Sequence, residues 1–168
     1  AILEVTSRAG MAQLSCCSTS PALSAVDSFF RVAPSDAQVG TVLARAATAG
    51  GLRSVAILHA HGPYGEQLAQ AFRTAAAPGL VTTVVELPDG QASFADELAT
   101  VLAGAPDGIL LVAFPEQALA ALGEAAARGA RVRWILPDAL YSQEFVDSLS
   151  SVRALLEGAI GAAFSAST

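Results

Sequence analysis

From residue 54 onward the chain alternates short apolar runs with stretches whose apolar residues recur every three or four positions. Ser54-Val55-Ala56-Ile57-Leu58-His59-Ala60, entered after Gly50-Gly51, is a nearly continuous apolar run, the pattern of a strand buried on both faces of a parallel sheet. After the polar turn His61-Gly62-Pro63-Tyr64-Gly65-Glu66, the residues Leu68, Ala69, Phe72 and Ala76 keep helical spacing until Pro78-Gly79 ends it. The alternation then predicts a helix over 65–77, a strand over 81–87, a helix over 93–103, a strand over 108–113, a helix over 116–128, a strand over 132–136, a short helix over 142–150 and a strand over 158–164. Ser93 and Ser142 are predicted N-caps and Gly129 a C-terminal stop. Strand alternating with helix five times predicts an α/β domain with a five-stranded parallel sheet, helices on both faces and right-handed crossovers. Ligands of open α/β sheets sit outside the carboxyl ends of the strands, so His59 to Tyr64 face the expected site.

Upstream, residues 1–10 read as the tail of a helix closed by Gly10, and Met11 to Ser15 as a short strand. Ser15-Cys-Cys-Ser-Thr-Ser-Pro-Ala-Leu-Ser24 is dense in hydroxyls and broken by proline, hence a loop. Its hydroxyls either satisfy the nearby backbone, the simpler reading, or present a row of donors to a small anionic or zwitterionic ligand. Phe29 to Ala33 reads as extended. Ser35 and Gln38 fit a capping box opening a helix that runs to Gly50.

Composition changes this picture mainly by exclusion. The 168 residues are enough for one domain with its own core. Hydrophobic residues make up 53% and charged residues 14%, too apolar for disorder, yet no apolar run approaches the roughly 20 residues of a membrane span. All nine basic residues are Arg and the net charge is −6, which disfavours nucleic acid or an anionic membrane as partner. The absence of Lys removes Schiff-base and phosphate-loop lysine chemistry. Because the chain opens on Ala1 inside an apparent helix, its natural start is expected upstream. Cys16 and Cys17 are adjacent, and a bridge between neighbours closes a strained ring, so no disulfide framework is expected. His59 and His61 lie at strand spacing with rings on opposite faces, so no metal site is expected either.

No Gly-x-Ser-x-Gly elbow follows a strand, and Gly62-Pro63-Tyr64-Gly65 is not a dinucleotide fingerprint, so neither a hydrolase triad nor a nucleotide cofactor is expected. What stands at the carboxyl ends of the strands is Tyr64, then Phe114 and Glu116, then Asp138 and Tyr141. An aromatic wall with one carboxylate suits a small ligand with an apolar part and an ammonium group. Each residue also has a plainer role: Tyr64 and Phe114 as cover for the sheet edge, Glu116 as a helix-dipole partner, Asp138 as a cap for the short helix.

The order of Ser15 to Ser24, Phe30-Arg31-Val-Ala-Pro-Ser-Asp36, Tyr64-Gly65-Glu66, Phe94-Ala-Asp-Glu97, Pro106-Asp107-Gly108-Ile109 and Pro137-Asp138 resembles the branched-chain amino-acid binding proteins, the type I periplasmic receptors of ABC importers. That resemblance implies a flavodoxin-like sheet order, with residues 1–32 the remnant of a first lobe and its crossover and 33–168 the second ligand-binding lobe. It assigns Ser18 and Thr19 to a ligand carboxylate, Tyr64 to the aromatic that closes over the ligand, and Asp138 to the ligand's amino group. Asp138 is one methylene shorter than the Glu of other members. Phe114 falls in a common aromatic pair from which Ala113 departs, and Cys16-Cys17 reads as small buried residues. The implied function is binding, not catalysis: a small amino acid or related amide trapped between two lobes, no cofactor, and a membrane permease as partner of the full-length parent. The implied location is periplasmic or extracellular, with lipid anchoring of the parent as one form of it. A sensor domain of a signalling receptor and a flavodoxin-like enzyme are the alternatives. Exposed apolar segments such as Phe29 to Val32 and 158–164 further predict a homodimer or a swapped N-terminal segment.

Overall fold

The computed structural model describes residues 2–150 and 152–164. Helix α1 (Ile2–Arg8) leads into a small two-stranded parallel sheet, β1 (Gln13–Ser15) against β2 (Phe29–Arg31), separate from the main sheet. Next come α2 (Asp36–Ala49), β3 (Val55–Ala60), α3 (Pro63–Ala75), β4 (Val81–Leu87), α4 (Ala95–Ala103), β5 (Gly108–Val112), α5 (Pro115–Ala127), β6 (Arg133–Leu136), α6 (Gln143–Ser148) and β7 (Ile160–Gly161). The five strands β3 to β7 form one sheet in the order β4-β3-β5-β6-β7, with every pairing parallel. Counted from β3, this is the 2-1-3-4-5 flavodoxin order expected from the resemblance.

The apolar runs of β3 and β5 are buried at every position, because successive residues feed opposite faces of the sheet. Val55 and Ile57 pack with Leu43, Leu68 and Phe72 of α2 and α3. Ala56 and Leu58 pack with Leu98, Val101, Ala118 and Leu122 of α4 and α5 around Trp134. The α2–α3 crossing is close: a methyl on Gly40 would come within 2.7 Å of Ala71 Cβ and Phe72 N.

Several local expectations need correction. The last strand is only Ile160–Gly161: Gly158 adopts φ +74° and the Ala- and Gly-rich stretch offers little β-branched surface to pair. Ser93 does not cap α4, since the helix begins one residue later and the Ser93 hydroxyl donates to Glu124 instead. Cys16 and Cys17 are neither unpaired nor buried; they form a disulfide between neighbours on an exposed turn. Other local signals agree with the sequence reading. Ser142 Oγ accepts from the Phe145 N–H at 3.1 Å as an N-cap, Gly129 follows α5 at φ +63°, and the Ser35 N–H donates to Gln38 Oε1 at 2.9 Å, one half of the capping box.

Candidate ligand-binding site

The chain leaves β3 for one side of the sheet, forming β4, and returns with β5 on the other. Strand order therefore reverses between β3 and β5, and the loops after these two strands diverge to leave a crevice at their carboxyl ends. Tyr64 stands in the loop-to-helix turn after β3, and Phe114 is the residue preceding α5, directly after β5. Their ring centroids are 5.2 Å apart with planes tilted by 33°, within the range of favourable aromatic pairing. The helix bearing Tyr64 starts hard against the strand: a Cβ on Gly65 would overlap the carbonyl oxygen of Ala60. Gly65 thus sets how deeply Tyr64 sits over the strand end. Ala113 is wholly buried while Phe114 is 53% exposed, so of the two only Phe114 offers a surface to a ligand.

The charges of two carboxylates, Asp138 and Asp36, bear on Tyr64. Asp138 begins the short 3-10 turn Asp138–Leu140 just after β6, and burial holds its carboxyl above the usual range. The short helix α6 is capped by Ser142 rather than by Asp138. Asp36 is the first residue of α2 and is buried. Its carboxyl is likewise raised, chiefly by burial against the opposing bond from Thr19, with the charge of Asp138 adding to the rise and that of Arg31 opposing it. Burial and then the charges of Asp138 and Asp36 push the Tyr64 phenol far above its ordinary value, and among the described residues its buried hydroxyl has no hydrogen-bond partner. Two carboxyls and an unsatisfied hydroxyl in one place attract a cation that can donate hydrogen bonds.

The hydroxyl loop joins this cluster through Thr19, whose Oγ1 donates to Asp36 Oδ2 at 3.1 Å while its carbonyl accepts from the Asp36 N–H at 2.9 Å. Arg31 shapes the loop from β2, donating to the carbonyls of Ser18 (3.4 Å) and Ser20 (2.8 Å) and to the Ser24 hydroxyl. Ser18 Oγ accepts from Ser15 Oγ at 2.9 Å, and Ser15 Oγ accepts from the N–H groups of Cys17 and Ser18, so Ser18 lies beside the cluster and is tied to the loop's own backbone. Of the five residues singled out in the sequence, Tyr64 and Phe114 meet as an aromatic pair, Asp138 bears on Tyr64 through its charge, and Thr19 is bonded to Asp36. Asp36 was missed as a site residue because an acidic side chain at the start of a helix reads as a dipole partner; the signal lay in Pro-Ser-Asp following the hydroxyl loop.

The other candidates lie elsewhere. Tyr141 is 75% exposed. Asp107 sits before β5 and accepts from the N–H groups of Arg53 and Ser54 at 2.8 and 3.0 Å; these bonds hold its pKa below the usual range and tie the starts of β3 and β5 at the end of the sheet remote from the site. Cavities of about 620 and 910 Å³ flank the cluster, one against Pro137 and Tyr141 and one behind Phe114. Asp36, Tyr64 and Asp138 line neither.

The family model described as "Periplasmic binding protein" matches residues 1–163. Among solved structures, a putative branched-chain amino acid ABC transporter protein from Rhodospirillum rubrum is 30% identical with a TM-score of 0.72, the match covering 85% of this chain and 42% of that one. A leucine-binding protein from Thermotoga maritima is 17% identical with a TM-score of 0.81 over 90% of this chain and 44% of that one. A solute-binding ABC transporter protein from R. palustris, solved with 4-hydroxybenzoate, is 16% identical with a TM-score of 0.76 over 89% and 43%. These last two likenesses show the fold alone. The chain spans less than half the length of each of these structures. No curated protein sequence matches it.

Proposed function

Because the chain belongs to the periplasmic binding protein family, we propose that residues 33–168 are the second ligand-binding lobe of an extracytoplasmic solute receptor. In this reading residues 1–32 belong to a first lobe and its crossover, and the receptor delivers a small amino acid or related amide to the permease of an ABC importer. The observation that carries the ligand class is that Asp36 and Asp138 repel each other and both bear on Tyr64, whose hydroxyl has no hydrogen-bond partner among the described residues. An ammonium donates up to three hydrogen bonds and relieves the repulsion between one buried and one half-buried carboxyl. Tyr64 and Phe114 supply ring faces to the same charge and to the ligand's apolar part. The hydroxyl loop at Ser18 and Thr19 supplies donors for the ligand's carboxylate.

The R. palustris structure carries 4-hydroxybenzoate, an anion without an amine. Asp36 and Asp138 of the present chain would repel an anion that lacks an amine, which favours the amino acid. Closure of a second wall over this one by a hinge desolvates the charged contacts and gives them their strength. Binding by charge and shape with no reacting group in place favours receptor over enzyme. Transport is favoured over sensing by the likeness to the R. rubrum ABC transporter protein, and a lipid anchor on the parent fits delivery at a membrane surface. Self-association rests only on the exposure of Leu14, Phe30 and Val32 at the small sheet and is tested by sedimentation equilibrium of the chain.

The proposal is tested by titrating the full-length protein with the common amino acids and their amides in a calorimeter. Saturable binding of at least one, at one per chain, is the expected result. Heat from no amino acid or amide, with binding of an aromatic carboxylate instead, overturns it.

A further inference from the structure

A second group of polar side chains meets at the rim of the crevice. His61 is the first residue after β3, Glu66 lies in the first turn of α3 and Glu86 is on β4. The three offer one imidazole nitrogen and two carboxylate oxygens all within 4.8 Å of one another, and all three residues are exposed. We propose that His61, Glu66 and Glu86 form a binding site for a divalent transition-metal ion of the zinc class.

The scaffold beneath is fixed. The His61 N–H donates to Leu87 O and the Glu66 N–H to Gly62 O, each at 3.1 Å, so the three ligands rise from hydrogen-bonded backbone on three elements. His61 Nδ1 already lies 3.0 Å from Glu86 Oε1. Zinc held at about 2.1 Å draws its ligand atoms to within roughly 4 Å of one another, which exposed side chains reach by small rotamer changes. Charge points the same way. Among the described residues neither glutamate is paired with an arginine, and the one ion-pair partner of Glu86 is His61 itself. The spot is therefore short of positive charge. One nitrogen with two oxygens suits zinc and its neighbours in the transition series, whereas calcium and magnesium take oxygen ligands alone. Sequence reasoning missed the site because it weighed His61 only against His59, which is buried and bonded to the Ala60 carbonyl. The third ligand arrives from the neighbouring strand. His61 and Glu66 bracket the turn bearing Tyr64, so an ion here bolts that turn to β4.

The test titrates metal-free, untagged full-length protein with zinc in a calorimeter and repeats the titration with cobalt, read by its visible absorption. One ion per chain is expected, with His61→Ala and Glu86→Gln each weakening zinc by at least about tenfold, the scale at which even outer-shell groups act. Glu116→Gln leaves zinc binding unchanged, metal-free melting is the same for all variants, and excess magnesium does not compete. Three results overturn the proposal: no saturable zinc binding up to about 1 mM, the weak end of specific association; zinc binding undiminished in His61→Ala; or equal competition by magnesium, the behaviour of a diffuse carboxylate patch.

Discussion

Thr19 donates its hydroxyl to Asp36 Oδ2 at 3.1 Å and accepts the Asp36 backbone N–H on its carbonyl at 2.9 Å. This two-way tie fastens the hydroxyl loop to the first turn of α2. It also places a buried carboxyl beside a loop rich in hydroxyls, as the proposed zwitterionic ligand requires.

The raised Asp36 carboxyl makes a pH prediction. In the unfolded chain it ionises near 3.8, and in the fold above that value. The fold thus favours the protonated form: its stabilising contribution is complete below about pH 4 and is lost as pH rises through the folded value. Asp36→Asn, which keeps an acceptor for Thr19 and carries no charge, should gain stability over the parent as pH goes from 4 to 7. Urea unfolding of both proteins across that range checks it. An advantage that stays constant with pH contradicts the assignment.

Tyr64→Phe removes a buried hydroxyl that has no partner among the described residues. Unfolding stability should be unchanged or slightly higher, because no bond is lost and a desolvated polar group is removed. Ligand affinity of the full-length protein should fall by about 0.5–1.5 kcal/mol, the net value of one hydrogen bond. Denaturant midpoints and calorimetry read the two effects separately.

Two glycines separate folding from binding. Gly40→Ala forces apart α2 and α3, where the added methyl meets Ala71 and Phe72, and should destabilise by about 1–3 kcal/mol with ligand affinity retained. Gly65→Ala pushes the start of α3 off the Ala60 carbonyl and carries Tyr64 with it. It should lose stability on the same scale and also weaken binding. Equal affinities in the two variants contradict the role given to Gly65.

The central strands were readable because β3 and β5 are buried on both faces, so their sequences carry unbroken apolar runs. The edge strand β7 was over-extended, since an Ala-Gly segment gives no period to count. Tyr64, Phe114 and Asp138 could be singled out by position, each following a strand, and the sheet order brings those strand ends side by side. Asp36 could not, because it bonds to Thr19, 17 residues away, and feels the charge of Asp138, which the chain direction alone does not bring near. The Cys16–Cys17 pairing was missed because ring strain between neighbours argues against it.

Asp138→Ala in the full-length protein should lose about 2–5 kcal/mol of amino-acid affinity, the loss expected when a buried charge is left without its partner. Calorimetry checks it. The isolated chain, lacking an opposing wall, should bind at around millimolar or weaker, roughly 4 kcal/mol of association.

The account stands on an ammonium seated between Asp36 and Asp138. Its most direct test compares, by calorimetry on the full-length protein, the best-binding amino acid with the 2-hydroxy acid of the same side chain, which keeps shape and carboxylate and lacks only the charged amine. A buried ion pair left half unmade predicts at least about a hundredfold weaker binding of the hydroxy acid, near 2.7 kcal/mol. Equal affinities would contradict the account, because the two carboxyls would then have no part in holding the ligand.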